Sequence, residues 1–215
     1  MMPYGNVDFS HALRFQLQIL FGDDFRYLED KNAKQDDLVY ACLRRAWGPA
    51  FQHVSRNTSD FNGLPGTDKR KKIDTACRAL IKPFCEYARL KDSFSRANRI
   101  VKTTSVSIFK DIKSSVTFGN IQKLFNMAMK YYLTITLCAD APNSFVSKSK
   151  LYQDFAFDTA DCPIDDKILS KLGKSSISSI KWSQMTDQEY IKVQNDIAIR
   201  LGGKKSNLCF DFENW

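Results

Sequence analysis

The stretch that decides the fold class is residues 116–139, VTFGNIQKLFNMAMKYYLTITLCA. From Asn120 onward, apolar residues recur every three or four positions, which is the spacing of one face of an α-helix. Gly119 and Asn120 supply a turn before that face begins. We therefore predict one long helix here, whose core-facing residues are Ile121, Leu124, Phe125, Ala128, Met129 and Tyr132.

Helix signals continue on both sides of this stretch. Residues 35–54, QDDLVYACLRRAWGPAFQHV, keep a helical apolar spacing, and their Gly-Pro pair predicts a break or kink. A second helix is predicted over residues 69–90, with a kink at Pro83. Two further helix starts are marked by Asp165, which caps DKILSKLG, and by Thr186, which opens a T-x-x-E capping box.

Strand signals are confined to the two ends of the chain. Residues 9–20 alternate apolar and polar side chains and fit either a strand or a helix, and the tail 207–215 alternates like a strand or an extended segment. We therefore expect an all-α fold, mainly helical, with short terminal strands as an open alternative. Residues 1–215 are expected to form a single helical domain, either undivided or built as two subdomains with a cleft between them.

The composition is that of a globular protein. Hydrophobic residues make up 43% of the 215 residues and charged residues 26%, which excludes a disordered chain. No apolar run approaches the roughly 20 residues that span a bilayer. The N-terminus lacks a basic region followed by an apolar one, so we expect no secretory signal. These features predict that the protein has no membrane partner, and we expect it to be cytoplasmic and monomeric.

Cysteine and histidine usage argues against a metal site. The six cysteines are scattered without a C-x-x-C pair, and the chain has only two histidines. A zinc site built from these residue types needs ligands clustered at short spacings. We therefore expect no bound metal and interpret the cysteines as buried thiols in a reducing compartment.

The net charge of +8 has two interpretations. A basic surface attracts phosphates and releases counterions, which predicts a polyanionic partner such as nucleic acid. The excess is also spread over several segments, as on an ordinary basic surface that keeps a protein soluble. The sequence leaves both interpretations open.

The residues that indicate a chemical function lie within 105–173, about a third of the chain. Here VSIFKDIKSSVTFGNIQKLFNMAMKYY is followed by CPIDDKIL, and together they resemble the helix-hairpin-helix DNA glycosylases. Pro163-Ile164-Asp165 stands where that family has Pro-Val-Asp, and Lys123 stands where its bifunctional members have a lysine at the start of the second helix. The run QKLFNMAMKYY is most similar to the archaeal 8-oxoguanine glycosylase branch. The hairpin SVTFGN keeps one glycine of the family's Leu-Pro-Gly-Val-Gly, and the lysine-to-aspartate spacing is 165 − 123 = 42 residues, which requires an insertion near 139–158.

The resemblance implies an enzyme that flips a damaged or modified base out of double-stranded DNA and excises it. Lys123 is then the nucleophile that forms a Schiff base, and Asp165 is the carboxylate that activates it and stabilises positive charge on the sugar. No cofactor is implied. The biological setting is either DNA repair or defence against modified phage DNA.

The same resemblance gives a set of DNA-binding candidates. Backbone groups at a helix start suit phosphate, polar side chains on the same helix suit a flipped base, and tryptophans suit stacking. Asp161 and Asp166 are expected to be solvated neighbours of the catalytic carboxylate. The candidates are Gly119, Asn120, Gln122, Asn126, Lys130, Trp182 and Trp215.

Two other functions compete with the enzyme. The first is a non-catalytic helical module that binds nucleic acid or another protein. The second is a Mg²⁺ nuclease that uses Asp161, Asp165 and Asp166. The nuclease is the weaker alternative because adjacent residues at a helix start point apart and seldom share one ion.

Overall fold

The protein was analysed as a computed structural model that describes residues 9–51, 65–110, 116–141, 144–173 and 180–214. Every regular element in these ranges is helical, and no strand is found in them, which confirms the all-α fold class. Short 3-10 turns connect several of the helices. The α-helices are α1 (Phe9–Phe21), α2 (Arg26–Glu29), α3 (Gln35–Phe51), α4 (Gly66–Ala79), α5 (Ile81–Ala88), α6 (Ser93–Thr104), α7 (Ser107–Lys110), α8 (Phe118–Asp140), α9 (Asp166–Leu172), α10 (Asp187–Arg200) and α11 (Leu208–Asn214).

Helix α8 is the predicted long helix, and it lies in the middle of the core. It packs most extensively on α3 and also contacts α5 and α6. The predicted core face is buried, and all the remaining residues from Gly119 to Met129 are buried as well. The first half of α8 is therefore surrounded by protein, and its polar side chains must find hydrogen-bond partners in the interior.

Two prolines have different effects on their helices. The predicted helix over 69–90 is divided at Leu80, because Pro83 has no N–H to donate to the carbonyl of Ala79. Helix α3, in contrast, continues past Pro49 to Phe51, so of the predicted break or kink the break is wrong. Since Pro49 lacks an N–H, the carbonyl oxygen of Arg45 loses its usual helical donor.

The two segments that fitted a strand in the sequence are helical in the structure. Residues 9–21 form α1, in which Leu17 and Phe21 are buried at a four-residue spacing. The tail forms α11, where Leu208 and Asp211 are buried. Over so few residues an alternating pattern does not distinguish a strand from a helix, and packing against the core decides the outcome.

Gly119 is required by close packing. A Cβ atom at this position would lie 2.0 Å from the carbonyl oxygen of Trp182. We expect Gly119→Ala to lower the free energy of unfolding by about 1–3 kcal/mol, as overpacking does. In the matched change Gly48→Ala, also within a helix, the new Cβ meets nothing within 4 Å. Urea unfolding should show unchanged or higher stability for Gly48→Ala, and equal losses in the two variants would contradict the prediction.

Candidate active site

The structure brings Lys123 and Asp165 together. The Nζ atom of Lys123 lies 3.2 Å from Oδ2 of Asp165, across 42 residues of sequence. The side chains are 10% and 22% exposed, so the pair is shielded but open to solvent. The other carboxylate oxygen of Asp165 accepts the backbone N–H of Ile168 at 3.0 Å and caps α9. One oxygen of the Asp165 carboxylate therefore caps α9, and the other contacts the ammonium of Lys123.

A cavity of about 500 Å³ opens beside this pair. Three basic side chains line it against the single carboxylate of Asp165, so its electrostatic character is positive. Trp182 lies on another side of the lysine, with its ring centroid 4.5 Å from Nζ in a cation–π contact. The other lining residues are Arg45, Gly48, Pro49, Met127, Tyr131 and Lys167.

Gln122 connects α8 to the segment that carries Asp165. Its amide nitrogen donates to the carbonyl of Ile164 at 2.8 Å, and its amide oxygen accepts the N–H of Ile164 at 3.2 Å. Gln122 is fully buried and precedes Lys123 in the same helix. The two hydrogen bonds therefore fix the position of Asp165 relative to Lys123. Because they use both the nitrogen and the oxygen of the Gln122 amide, this side chain supports the pair instead of contacting DNA.

Cys162 is held in the same way from two helices. Asn126 on α8 donates to its carbonyl at 3.2 Å. Gln194 on α10 donates to that carbonyl at 2.7 Å and accepts the N–H of Cys162 at 3.0 Å. The backbone of Cys162 and Ile164 is thus held by three buried side-chain amides. Asn126 is 1% exposed, which corrects the expectation that it lies open to a flipped base.

Asp161 is buried, which corrects the expectation that it is solvated. It pairs with the guanidinium of Arg96 at 3.2 Å, and both side chains are 1% exposed. The hydroxyls of Ser93 and Tyr190 also donate to its carboxylate, at 2.6 and 2.7 Å. Burial raises the pKa of Tyr190 well above its usual value, which keeps the phenol protonated as a donor. Asp166 is exposed, as expected.

The start of α8 is closed by protein. Asn120 forms a capping box with Thr117 and donates from its side chain to the carbonyl of Ala50 at 2.8 Å. Gly119 is buried against the Trp182–Ser183 backbone. This corrects the expectation that Gly119 and Asn120 are open to phosphate.

The remaining candidates lie in different surroundings. Lys130 pairs with the buried carboxylate of Asp211 at 2.5 Å, which ties α8 to α11. Its ammonium also lies 4.9 Å from the ring centroid of Phe212. Lys130 was predicted to contact DNA, but in the structure it anchors the C-terminal helix α11. Trp215 lies outside the described residues, and its role stays a prediction.

The three aspartates of the nuclease alternative do not converge. Asp161 points into the interior, Asp165 meets Lys123, and Asp166 is exposed. Within the described ranges, no group of three or more His, Cys, Asp and Glu residues is placed to hold a metal ion. The described aspartates therefore give no support to the nuclease alternative.

Comparisons with known proteins found no match, so the proposed function rests on the geometry of the site. No protein-family model, curated protein or solved structure matches the chain. None of the helices in the described part of the chain is both long and apolar enough to cross a membrane.

Proposed function

We propose that this protein is a DNA glycosylase that excises a damaged or modified base through a Schiff-base intermediate on Lys123. The observation that carries the proposal is the 3.2 Å contact between Lys123 and Asp165 at the edge of a positively lined cavity. A lysine and a carboxylate are the two groups that this chemistry needs from a protein. Their separation of 42 residues makes the contact a product of the tertiary fold rather than of local sequence.

The chemical roles follow from the contacts. Asp165 accepts a proton from the Lys123 ammonium, which frees a neutral amine for attack. Nζ then bonds to C1′ of the flipped nucleotide as the bond between C1′ and the base breaks, and the base leaves with the bonding electrons and takes up the proton that Asp165 received. Asp165 next takes a second proton from Nζ and passes it to O4′ as the bond between C1′ and O4′ breaks, which gives an iminium between Nζ and C1′. Loss of the 2′ proton from this iminium then expels the 3′ phosphate.

The surroundings of Asp165 suit this work. One oxygen of the carboxylate is fixed by the capping N–H of Ile168 at the start of α9. Once the departing base has taken the proton, the Asp165 carboxylate can stabilise the positive character that develops on the sugar. The buried amides of Gln122 and Gln194 hold the segment rigidly, which limits the reorganisation needed during reaction.

Double-stranded DNA is the proposed partner. The net charge of +8 and the basic lining of the cavity favour a polyanion. Tyr131 lines the cavity beneath the guanidinium of Arg45, and Trp182 is buried beside Lys123, so these rings form walls of the site rather than open stacking surfaces.

The direct test is base release by the wild-type protein. Duplexes with a single 8-oxoguanine or another damaged or modified base are incubated with the protein in EDTA, and free base is quantified by mass spectrometry. We expect release from at least one modified duplex and none from the matched unmodified duplex. DNA binding without base release from any substrate would contradict the enzyme and favour the non-catalytic binding module.

A further inference from the structure

Arg45 stacks on an aromatic ring at the cavity of the candidate site. It lines the cavity of Lys123 and Asp165, and its residue is exposed. Its guanidinium carbon lies 5.6 Å from the ring centroid of Tyr131, and no described carboxylate forms an ion pair with it. The guanidinium is thus oriented by an aromatic ring while its N–H donors remain available.

Two nearby arginines pair with carboxylates. Arg44, the preceding residue, pairs with Asp74 at 2.7 Å. Arg70, which borders the adjoining cleft, lies 3.6 Å from Asp23. That cleft, of about 640 Å³, shares Arg45 and Gly48 with the cavity of the catalytic pair. Arg45 therefore presents its charge where the site meets the outer surface.

A guanidinium in this position suits an oxygen anion. Its planar fork of N–H donors matches the oxygens of a phosphodiester, and stacking on a ring reduces the entropy lost on binding. If the sugar of a flipped nucleotide lies at Lys123, the nearest anions of the substrate are the two phosphates flanking that nucleotide. The basic excess in the cavity lining favours an anion over a cation.

We propose that Arg45 binds one of the phosphates flanking the nucleotide at the Lys123–Asp165 site. This inference rests on the proposed function for the position of the nucleotide. It assigns Arg45 a contact with the DNA backbone, so the contact positions the strand and does not read the base.

The test measures affinity for a duplex that contains one tetrahydrofuran abasic-site analogue. Individual phosphates around the analogue are replaced by neutral methylphosphonates. For the wild type, neutralising one flanking phosphate should weaken binding by about tenfold. Arg45→Ala should bind the unmodified duplex about tenfold more weakly and lose nothing further at that phosphate. Its slope of log K against log salt should also become shallower by about 0.9.

Arg78→Ala is the matched control. Arg78 is exposed and stacks on the ring of Tyr40, with its guanidinium carbon 4.5 Å from the centroid, but it does not line the cavity. It should keep the wild-type response to every methylphosphonate, and Arg45→Lys should keep the wild-type salt slope. The proposal is overturned if Arg45→Ala responds like the wild type at both flanking phosphates, if Arg78→Ala loses the response as well, or if the wild type does not bind. Failure of the proposed function is separate, since it appears as bound DNA from which no base is released.

Discussion

Arg96→Met is expected to lower the free energy of unfolding by about 3–5 kcal/mol, because it leaves the buried carboxylate of Asp161 without its cation. Arg96 also donates to the carbonyl of Thr159 at 2.5 Å, so the change removes a second interior contact. Asp161 adjoins Cys162, the residue held by Asn126 and Gln194. The loss should therefore reach the segment that positions Asp165. Urea unfolding followed by circular dichroism measures the effect.

The control for this prediction is Arg99→Met on the same helix. Arg99 pairs with Glu86 at 2.5 Å, but the two side chains are 33% and 37% exposed. Ion pairs at the surface contribute little, so this change should cost less than about 1 kcal/mol. Similar losses for Arg96→Met and Arg99→Met would show that burial of the Asp161 pair has no special energetic importance.

Asp165→Asn is expected to reduce the single-turnover rate of base release by about 100-fold or more. Asparagine caps a helix about as well as aspartate, so α9 should keep its start and the protein its stability. The variant cannot accept a proton from Lys123 or oppose positive charge on the sugar. The rate is measured with excess enzyme, and affinity for the duplex is measured in parallel.

Asp166→Asn is the matched change one residue later. Asp166 is exposed in the first turn of the same helix, so the change removes the same charge from the same neighbourhood. We expect a base-release rate within a few-fold of the wild type. Equal rate losses in Asp165→Asn and Asp166→Asn would assign the effect to general electrostatics and remove Asp165 from the chemistry.

The fold class was predictable because helix periodicity is a local property. The apolar spacing of α8 and the capping residues Thr186 and Asp165 identify helices without knowledge of their neighbours. The chain ends were not decided in this way, because a few alternating residues are compatible with two structures. Only packing, such as that of the buried Asp211 against Lys130, selects the helix.

The candidate site was only partly predictable. The pairing of Lys123 with Asp165 came from the family resemblance, since no spacing rule joins residues 42 positions apart. The same resemblance assigns Gln122 and Asn126 to DNA, but it carries no information on their partners at Ile164 and Cys162, which are distant in sequence. Gln194 was missed, although it lies four residues after Tyr190 on the buried face of α10, where a polar side chain indicates an interior hydrogen-bonding role.

The most direct test of the central claim is to trap the protein covalently on DNA. The protein is incubated with a modified duplex in the presence of borohydride, which reduces the iminium, and the adduct is mapped by peptide mass spectrometry. We expect the wild type to carry the sugar on Lys123 and Lys123→Gln to form no adduct. Lys150→Gln should be trapped like the wild type, because Lys150 is equally buried at 8% exposure but binds the carbonyl of Asp30 instead. Base release with no adduct, or an adduct that persists in Lys123→Gln, would contradict the assignment of Lys123 as the nucleophile.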